Sequence, residues 1–410
     1  MKIYLVGGAV RDALLNLPVK DKDWVVVGGT EKMLLDKKFQ QVGKDFPVFL
    51  HPKTHEEYAL ARKERKSGKG YTGFCTDSNA NITLEEDLIR RDLTINAIAQ
   101  DQNGKYIDPF HGIEDIKNRV IRHVSNSFSE DPLRVFRTAR FAATLVHLGF
   151  CIAEETMVLM KIMVKNQELY YLTANRIWNE TEKAFKTVSP HVYFQVLHLC
   201  KVLHFFFPKM YILYYKKSSL YLYRFNRWYH ENFIFMGLAK ISFYSKDIDV
   251  RFAYLCQFFL KKKIAINVSQ DFYNKDAADF VKRLCQRFQI PSYIKEMAIL
   301  NSGYRDFLNV IHTQSSKNIV LLFYKIDAWR KPERVKKLSF LNRFNYLNPF
   351  QSHVINFYSD CFLKQCFSIT NEVSTKLIMK QGFTGIHIKH EIMRLRIQKL
   401  KLWRLKKNRI

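Results

Sequence analysis

Two groups of residues near the amino terminus have the types and spacing needed to bind a nucleoside triphosphate. In the first group, Gly7 and Gly8 follow an apolar run, and Arg11 comes three residues later. A glycine pair lets main-chain amides approach a ligand closely, and the start of a helix supplies unpaired N–H groups. A guanidinium adds a planar fork of donors for phosphate oxygens. We therefore predict a strand over Lys2–Val6, a phosphate-binding turn and a helix that begins near Val10.

The second group is the pair Asp21 and Asp23, which precedes the apolar run Trp24–Val27. Residues two apart on a strand project from the same face, so we expect both carboxylates on one face and Lys22 on the other. Carboxylate oxygens are the ligands that Mg²⁺ prefers, and ions held there could bridge a triphosphate and an attacking hydroxyl. The pair predicts a magnesium site that supports nucleotidyl transfer.

Each group by itself also has a purely structural interpretation. A glycine pair between a strand and a helix is usually a tight turn, and paired aspartates usually cap a turn or face solvent. The order of strand, glycine pair, Arg-Asp, helix, Asp-x-Asp and strand is much more specific than either part, and it favours the functional interpretation.

That order is the signature of the DNA polymerase β nucleotidyltransferase superfamily, and two later blocks narrow the resemblance. They are Arg90–Ala97 and Glu130–Arg140, which follow in the expected order. With these blocks the chain closely resembles the bacterial class II tRNA nucleotidyltransferases, the CCA-adding enzymes. The resemblance covers roughly the first half of the chain and continues more weakly toward the carboxyl terminus.

The resemblance implies an α/β head with a polymerase β-like mixed sheet, followed by an all-α neck, body and tail. It implies template-independent addition of C, C and A to tRNA 3′ ends from CTP and ATP, with Mg²⁺ as the cofactor. It makes Asp21 and Asp23 the catalytic metal ligands. The nucleotide contacts that it implies are Gly8, Arg11, Arg91, Asp92, Asn96, Asp131, Arg134, Arg137 and Arg140.

Asp131 and Arg134 suggest how a protein could select C and A without a nucleic-acid template. Their spacing of three places them on one face of a predicted helix. An aspartate can accept from the exocyclic amino group of cytosine and adenine, and an arginine can donate to ring acceptors, whereas G and U present the opposite polarity. The resemblance assigns this role, and it places Arg137 and Arg140 on the triphosphate. A salt-bridged face in solvent is the alternative interpretation.

A third carboxylate normally completes the site in this superfamily. Glu57 is the candidate because of its place on a later predicted strand, and Glu56 beside it is the alternative. The stretch from Lys63 to Phe74 holds three glycines among basic residues, which predicts a mobile loop near the site. In the family a flexible loop here helps the switch from C to A addition, although an ordinary connection would have the same composition.

The composition agrees with a nucleic-acid partner. Lysine and arginine total 66 against 38 acidic residues, a formal charge of +28 that attracts a polyanion. The end of the chain is densest in basic residues, and this pattern fits a helix on RNA phosphates or, equally, a solvated helix. These residues are Lys389, Arg394, Arg396, Lys399, Lys401, Arg404, Lys406, Lys407 and Arg409.

The length of 410 residues exceeds what one core usually serves. We predict a nucleotidyltransferase head over 1–125, a base-reading helical neck over 126–200, a helical body over 201–335 and a basic helical tail over 336–410. The head would hold the tRNA 3′ end, and the body and tail would grip the acceptor and T arms. No protein partner is evident.

The seven cysteines show neither zinc-binding spacing nor an even disulfide framework, which favours reduced thiols in the cytoplasm. The amino terminus enters a predicted strand at once, so we expect no signal peptide. The aromatic segment 203–215 is interrupted by histidine, proline and lysine, so we expect no membrane span.

Many relatives with this head carry an HD-type phosphohydrolase domain in the body. Its metal-binding histidine and aspartate would fall at Gln257 and Phe258, within the segment 249–261. Neither side chain can replace those ligands, and the stretch 211–243 contains His230 alone instead of a histidine cluster. We therefore predict a degenerate HD-like body that grips RNA and has lost phosphohydrolase activity.

Two alternatives to CCA addition stay open. A bacterial poly(A) polymerase shares the head and much of the neck, although the absence of a basic leader and the segments 101–104 and 381–385 look like the CCA-adding group. A catalytically inactive tRNA-binding protein would agree with the degenerate body. The intact aspartate pair, Asp131 and Arg134 argue against it.

Overall fold

The computed structural model describes the chain in several stretches and divides it into two compact units, Met1–Pro208 and Lys209–Ile410. The four-part division into head, neck, body and tail stays a prediction, since the first unit contains both the predicted head and the predicted neck. The described residues are 1–42, 48–66, 74–77, 79–203, 223–258, 273–344 and 353–407.

The first unit begins with a mixed sheet. The order of its strands is β3-β4-β5-β2-β1-β8-β9, with β2 and β5 parallel and the other neighbours antiparallel. A separate antiparallel pair joins β6 to β7. The strands are β1 Lys2–Val6, β2 Asp23–Val27, β3 Gln40–Val42, β4 Val48–Leu50, β5 Glu57–Leu60, β6 Lys63–Lys66, β7 Phe74–Asp77, β8 Ala99–Gln100 and β9 Tyr106–Ile107.

Central strand β2 is apolar on both faces because the sheet has a core on each side. Val25 packs with Val6 and Leu88, whereas its neighbour Val26 packs with Phe49 in a second cluster. Successive side chains of a strand point to opposite faces, so a run of valines fills both cores. This packing fixes the start of β2, where the aspartates lie. The helices of this layer are α1 Gly8–Leu14, α2 Glu31–Asp36, α3 Leu84–Ile89 and α4 Gly112–Asn118.

Helices dominate the rest of the first unit. Helix α5 packs against both α7 and α8 and buries Val135, Phe136 and Ala139. One short parallel pair, β10 with β11, interrupts the helical character that the sequence predicts after residue 109. The elements are β10 Val120–Ile121, α5 Leu133–Leu145, β11 Cys151–Ile152, α6 Glu154–Lys165, α7 Ala174–Phe185 and α8 Pro190–Leu199, with a 3₁₀ turn at Asn126–Glu130 before α5.

The described part of the second unit is helical. Helices α10 and α11 pack against α12, and α14 and α17 pack against α15. Together with the mixed sheet, this confirms the predicted fold class of an α/β head followed by helices. The helices are α9 Tyr223–Tyr244, α10 Ile248–Cys256, α11 Lys275–Arg287, α12 Ser292–Asn309, α13 Ser316–Lys325, α14 Glu333–Arg343, α15 His353–Asn371, α16 Thr375–Lys380 and α17 Gly385–Lys407.

The basic end of the chain is helix α17, but not all of its cations face water. The guanidinium of Arg396 lies 3.5 Å from the centroid of the Trp329 ring and is largely buried. Arg404 donates to the main-chain carbonyls of His312 and Gln314. These two arginines therefore stabilise the packing of α17, and whether the other basic residues contact RNA stays a prediction. Arg409 lies outside the described residues.

Two other sequence predictions concern regions that the structure describes only in part. Segment 203–215 lies outside the described residues except for residue 203, and the side chain of His230 in α9 also lies outside them. Within the described ranges, no helix combines the length and the apolar character needed to cross a membrane. The cysteines whose side chains are described are free thiols: Cys151, Cys200, Cys256, Cys285, Cys361 and Cys366.

Candidate active site

A cleft with a cavity volume of about 940 Å³ lies in the first unit, and all eleven predicted site residues line it. They come from four places: the turn after β1, the start of β2, the segment after α3, and the region around α5. The folded chain therefore brings together residues that lie more than a hundred positions apart. The lining residues that the sequence analysis did not select include Arg62, Arg90, Phe141, Arg176 and Lys183.

The glycine turn after β1 has a conformation that glycine adopts easily. Gly7 has a φ of 71°, and a Cβ atom there would lie 3.3 Å from Nη1 of Arg91. Glycine meets both requirements because it has no Cβ. Helix α1 begins at Gly8, two residues earlier than predicted, because the carbonyl of Gly7 already accepts from the amide of Arg11 at 3.1 Å.

The guanidinium of Arg11 is held on several sides. Its Nη1 donates to Oδ1 of Asn96 at 2.7 Å, and its Nε and Nη2 donate to Oδ1 of Asp12 at 2.9 and 2.7 Å. The Nδ2 group of Asn96 in turn donates to Oδ1 of Asp92 at 3.1 Å. Asn96 therefore connects Arg11 to Asp92, and all three side chains are fixed before any ligand binds.

Asp92 is the centre of this network. Nε of Arg137 donates to its Oδ2 at 2.7 Å, and the amide of Leu93 donates to its Oδ1 at 2.9 Å. Burial alone would raise the pKa of Asp92, but the charge of Arg137 and the hydrogen bond from Asn96 outweigh it, and the pKa lies well below its usual value. The charge of Asp92 likewise raises the pKa of Arg137. The pair is ionised throughout the physiological range.

Phe141 supports three arginines. The guanidinium carbons of Arg11, Arg137 and Arg140 lie 5.1, 5.8 and 4.1 Å from the centroid of its ring. The electron-rich face of an aromatic ring attracts cations, which favours the close approach of three like charges. The resulting concentration of positive charge suits a polyphosphate. Phe141 is not among the predicted site residues, because a phenylalanine next to an arginine in a helix is typical of an ordinary core residue.

The aspartate pair lies at the start of β2, with one difference from the prediction. Asp23 is the first residue of β2, whereas Asp21 lies in the loop before the strand. Desolvation raises the pKa of Asp23, the charge of Arg91 opposes this shift, and the charge of Asp21 adds to it. The repulsion between the two carboxylates is what a bound dication would relieve.

The structure distinguishes between the two candidates for the third carboxylate. Glu57 is the register partner of Asp23 on the parallel strand β5, and it lines the cleft. Glu56 instead accepts from Nε1 of Trp24 at 2.9 Å and pairs with Lys22 at 3.7 Å. Glu57 is the first residue of β5, whereas Glu56 precedes the strand, so only Glu57 has Asp23 as its register partner.

The described residues contain no group of three or more histidine, cysteine, aspartate or glutamate side chains arranged to hold a metal ion. The carboxylates at the start of β2 therefore do not form a closed metal cage by themselves. Mg²⁺ usually keeps water molecules and takes further oxygen ligands from substrate phosphates. An open carboxylate pair beside an arginine-lined cleft fits that mode of binding.

Asp131 lies outside the helix in which we predicted it. Helix α5 begins at Leu133, and Asp131 has an extended backbone conformation with φ −111° and ψ 106°. The cause is Pro132, because the residue before a proline is disfavoured in the helical region. Oδ1 of Asp131 accepts from the amide of Leu133 at 3.0 Å, and its Oδ2 accepts from Nη2 of Arg176 at 2.9 Å.

The guanidinium of Arg134 contacts the main chain of the segments around it. Its Nη1 donates to the carbonyl of Ser127 at 2.9 Å and to that of Arg91 at 3.5 Å, and its Nη2 donates to the carbonyl of Arg90. Arg134 therefore lines the cleft and at the same time ties α5 to the segment after α3. In this geometry several of its donors already have main-chain partners.

Helix α7 supplies charged residues that the sequence analysis did not predict. Besides the bond from Arg176 to Asp131, Oε2 of its buried Glu180 accepts from Nε of Arg140 at 2.6 Å. The spacing of four between Arg176 and Glu180 was a local signal, since it places both on one face of a helix. Their partners could not be read from that spacing.

The described residues of the predicted mobile loop over Lys63–Phe74 lie in strands. The first four residues form strand β6, which pairs with β7 at the far end. The prediction was therefore wrong for those residues, and residues 67–73 between the strands lie outside the described residues.

The chain matches two family models. The model of the poly(A) polymerase head domain matches residues 3–122, and a model described as a probable RNA- and SrmB-binding site of polymerase A matches residues 149–213. The first match covers the glycine turn, the aspartate pair and Asp92. The second begins after helix α5 and covers Arg176 and Glu180.

Several solved structures share the fold. The CCA-adding enzyme of Bacillus stearothermophilus in complex with CTP has a TM-score of 0.61 at 21% identity, over 99% of this chain and 93% of that one. A CCA-adding enzyme in complex with ATP has a TM-score of 0.62 at 22% identity, over 97% of this chain and 86% of that one. At these identities the likeness establishes the architecture of head and helices.

The sequences of curated relatives are far more similar. A CCA-adding enzyme of Buchnera aphidicola subsp. Acyrthosiphon pisum (strain Tuc7) is 68% identical over 406 residues, which cover 99% of this chain and 98% of that protein. Another, of Buchnera aphidicola subsp. Schizaphis graminum (strain Sg), is 60% identical over 408 residues, with 99% and 98% covered. These names do not favour the poly(A) polymerase alternative. At such identities over nearly the whole length of both chains, the protein belongs to the family of CCA-adding enzymes.

Proposed function

We propose that this enzyme completes and repairs tRNA by adding the 3′-terminal CCA sequence from CTP and ATP without a nucleic-acid template. The observation that carries the proposal is the single cleft that unites a carboxylate pair, an arginine cluster and the Asp131–Arg134 region. Relatives named CCA-adding enzymes, and solved members of that name in complex with CTP and with ATP, support it.

Nucleotidyltransferases of this family use a divalent metal, and we propose that it is Mg²⁺, bound by Asp21 and Asp23. The donor set fits, because carboxylate oxygens are hard ligands and because desolvation, together with the charge of Asp21, raises the pKa of Asp23 and so favours a nearby dication. Bound there, the metal would neutralise triphosphate charge and lower the pKa of the attacking 3′-hydroxyl. Glu57, beside Asp23 in the sheet, is our proposed third carboxylate.

The arginine cluster would hold the triphosphate. Arg137 and Arg140 each use Nε to bind a carboxylate, which orients the guanidinium plane and its two terminal nitrogens. Arg11 is fixed by Asn96 and Phe141, and Gly8 lets the chain approach closely. Because these groups are in place before the nucleotide arrives, binding requires little reorganisation, which favours in-line attack on the α-phosphate.

Base selection would use Asp131 and Arg134. The Asp131 carboxylate would accept from the exocyclic amino group that cytosine and adenine share, and Arg134 would donate to a ring acceptor. Because main-chain carbonyls accept from Arg134 in the described geometry, we infer that nucleotide binding exchanges one of these contacts for the base. Arg91, Asp92 and Asn96 complete the proposed nucleotide and ribose contacts.

Sequencing the products made on tRNA that lacks its CCA end tests the proposal. CTP alone should yield ends extended by C and C, and CTP with ATP should yield complete CCA ends. Long runs of A from ATP alone would instead identify a poly(A) polymerase. Binding of tRNA without any incorporation would identify an inactive tRNA-binding protein.

We also propose that the body has lost the HD-type phosphohydrolase activity. Gln257 and Phe258, which follow α10, are buried, and Nδ2 of Asn301 lies 3.5 Å from Oε1 of Gln257 while Arg305 donates to the Gln257 carbonyl. These contacts are those of a packed core. Residues 259–261 of the aligned segment lie outside the described residues.

The test for this loss is direct. The purified enzyme should show no 2′,3′-cyclic phosphodiesterase or phosphatase activity with Ni²⁺, Mg²⁺ or Mn²⁺ added, while CCA addition continues in the same preparation. Hydrolysis that survives the Asp21→Ala change would mean that other residues rebuild a metal site.

We further propose a cytoplasmic location, which the tRNA substrate and the free thiols support.

A further inference from the structure

Helix α7 reaches both ends of the segment that carries the proposed base-reading and phosphate-binding residues. Nη2 of Arg176 donates to Oδ2 of Asp131 at 2.9 Å, and Oε2 of Glu180 accepts from Nε of Arg140 at 2.6 Å. Arg176 and Glu180 are four residues apart and share one helix face. Helix α7 thus forms two ion pairs of opposite polarity with this segment. The partners in the segment, Asp131 and Arg140, are nine residues apart.

The position of Arg176 within its own helix is unfavourable. It lies in the first turn of α7, where the positive end of the helix dipole repels a cation, and no side chain caps that end. The side chains of Arg176 and Asp131 remain 23% and 20% exposed, so their ion pair adds little to stability. The place of Arg176 in the helix and its ion pair with Asp131 therefore add little to stability.

The contact between Arg176 and Asp131 helps to fix the orientation of the Asp131 carboxylate. Its Oδ1 accepts from the amide of Leu133 at 3.0 Å, and its Oδ2 accepts from Arg176. The terminal torsion of an aspartate is soft, so a single anchor would let the carboxylate turn. With an anchor on each oxygen the plane is set, and each oxygen keeps a second lone pair for another donor.

We propose that Arg176 is a positioning residue for nucleotide selection, which acts through Asp131 by holding its carboxylate where the amino group of cytosine or adenine must arrive. This proposal rests on the proposed base-reading role of Asp131. UTP carries a carbonyl where CTP carries the amino group, so a well-placed acceptor attracts CTP and repels UTP. Loss of Arg176 should therefore weaken the choice between CTP and UTP more than it weakens turnover.

The test compares kcat/KM for CTP and for UTP on tRNA lacking its CCA end. Arg176→Gln should lower the CTP-over-UTP ratio about tenfold, as expected when one charge-assisted hydrogen bond is lost. Arg176→Lys should recover part of the ratio, since it keeps the charge but not the planar fork. Lys186→Gln is the matched control, because this exposed cation at the end of α7 pairs with Glu182 and does not line the cleft.

A double-mutant cycle separates positioning from a general structural role. In the Asp131→Ala background, Arg176→Gln should cause no further loss of the ratio, because the group that it positions is gone. Asp131→Asn, with equilibrium binding of CTP and UTP in place of turnover, supplies the same cycle if Asp131→Ala is too slow to measure.

Three outcomes would overturn the proposal. If Arg176→Gln lowers Tm and slows both nucleotides equally, the residue is structural. If the ratio falls as much without Asp131 as with it, Arg176 acts independently of that carboxylate. If Asp131→Ala alone leaves the ratio intact, the base-reading role of Asp131 is wrong, and that single variant distinguishes this failure from the other two.

Discussion

The two ends of the cleft hold their functional side chains in different ways. At the end built by β1, β2 and the segment after α3, a continuous and mostly buried network runs from Arg11 through Asn96 and Asp92 to Arg137. At the other end, Asp131 lies between two elements and is held by a main-chain amide and by Arg176, with the pair partly exposed.

This difference suggests different tasks for the two ends. A triphosphate and its metal are the same for CTP and ATP, so the charges that bind them can be rigid. The bases differ in size, so the groups that read them must accept two shapes. The partly exposed contact between Arg176 and Asp131 sets the direction of the carboxylate and still allows small shifts at low cost in stability.

The largest effect is expected at the rigid end. Asp21→Ala or Asp23→Ala should abolish nucleotide incorporation with CTP and with ATP, because each change removes a proposed metal ligand. tRNA affinity, measured by equilibrium binding, should stay close to that of the unchanged enzyme. Lys22→Ala is the matched control between them and should keep its activity. Near-normal turnover in either aspartate variant would remove the metal assignment.

We expect Glu57 substitution to reduce activity strongly, but less than substitution of Asp21 or Asp23. Glu57→Gln should lower kcat about a hundredfold, as is typical when a proton-accepting or metal-completing carboxylate is lost. Glu56→Gln should leave kcat almost unchanged, because Glu56 accepts from Nε1 of Trp24 and does not itself line the cleft. Single-turnover rates at saturating CTP measure both. Equal losses in the two variants would mean that the strand register does not decide which glutamate participates.

A third prediction addresses the base-reading end. Asp131→Ala or Arg134→Ala should weaken discrimination against UTP and GTP, with each lost hydrogen bond costing about 1–3 kcal/mol. Rates with CTP and ATP should fall less than in the aspartate variants of β2. The measurement is kcat/KM for all four nucleotides. Full preference for CTP and ATP in both variants would refute the protein template.

The smallest effect concerns stability at low pH. The folded-state pKa of Asp92 lies below its unfolded value, so the unfolded chain binds more protons and stability falls as the pH drops from about 5 toward that folded pKa. Asp92 should contribute a loss of about 1 kcal/mol between pH 6 and pH 3.5. Denaturant unfolding of the enzyme and of Asp92→Asn should show a shallower pH dependence in the variant. Identical slopes would contradict a buried, paired Asp92.

The candidate site could be predicted as a set of residues but not as a set of contacts. All eleven predicted residues line one cleft, although their individual roles stay predictions. The placement of Asp131 in the helix was wrong, and Pro132 was the local signal that could have corrected it. Phe141 could not be predicted from the sequence. A phenylalanine whose ring contacts arginines has the same sequence pattern in a helix as a phenylalanine of the core.

Local order along the chain is enough to predict the parts of the protein that neighbouring residues form. The strand, the glycine turn and Asp-x-Asp lie within some twenty-five residues, and local geometry with the family resemblance indicated their chemistry and the fold class. The structure confirms the fold class and the relatives confirm the family, while the roles of these residues stay predictions. The contacts between distant segments follow instead from the packing of the folded chain. The register of β2 with β5 placed Glu57 beside Asp23, and the packing of α7 on α5 brought Arg176 to Asp131. Such pairs depend on how the elements pack. The sequence of an element indicates which of its faces is buried, but it does not indicate which other element packs against that face.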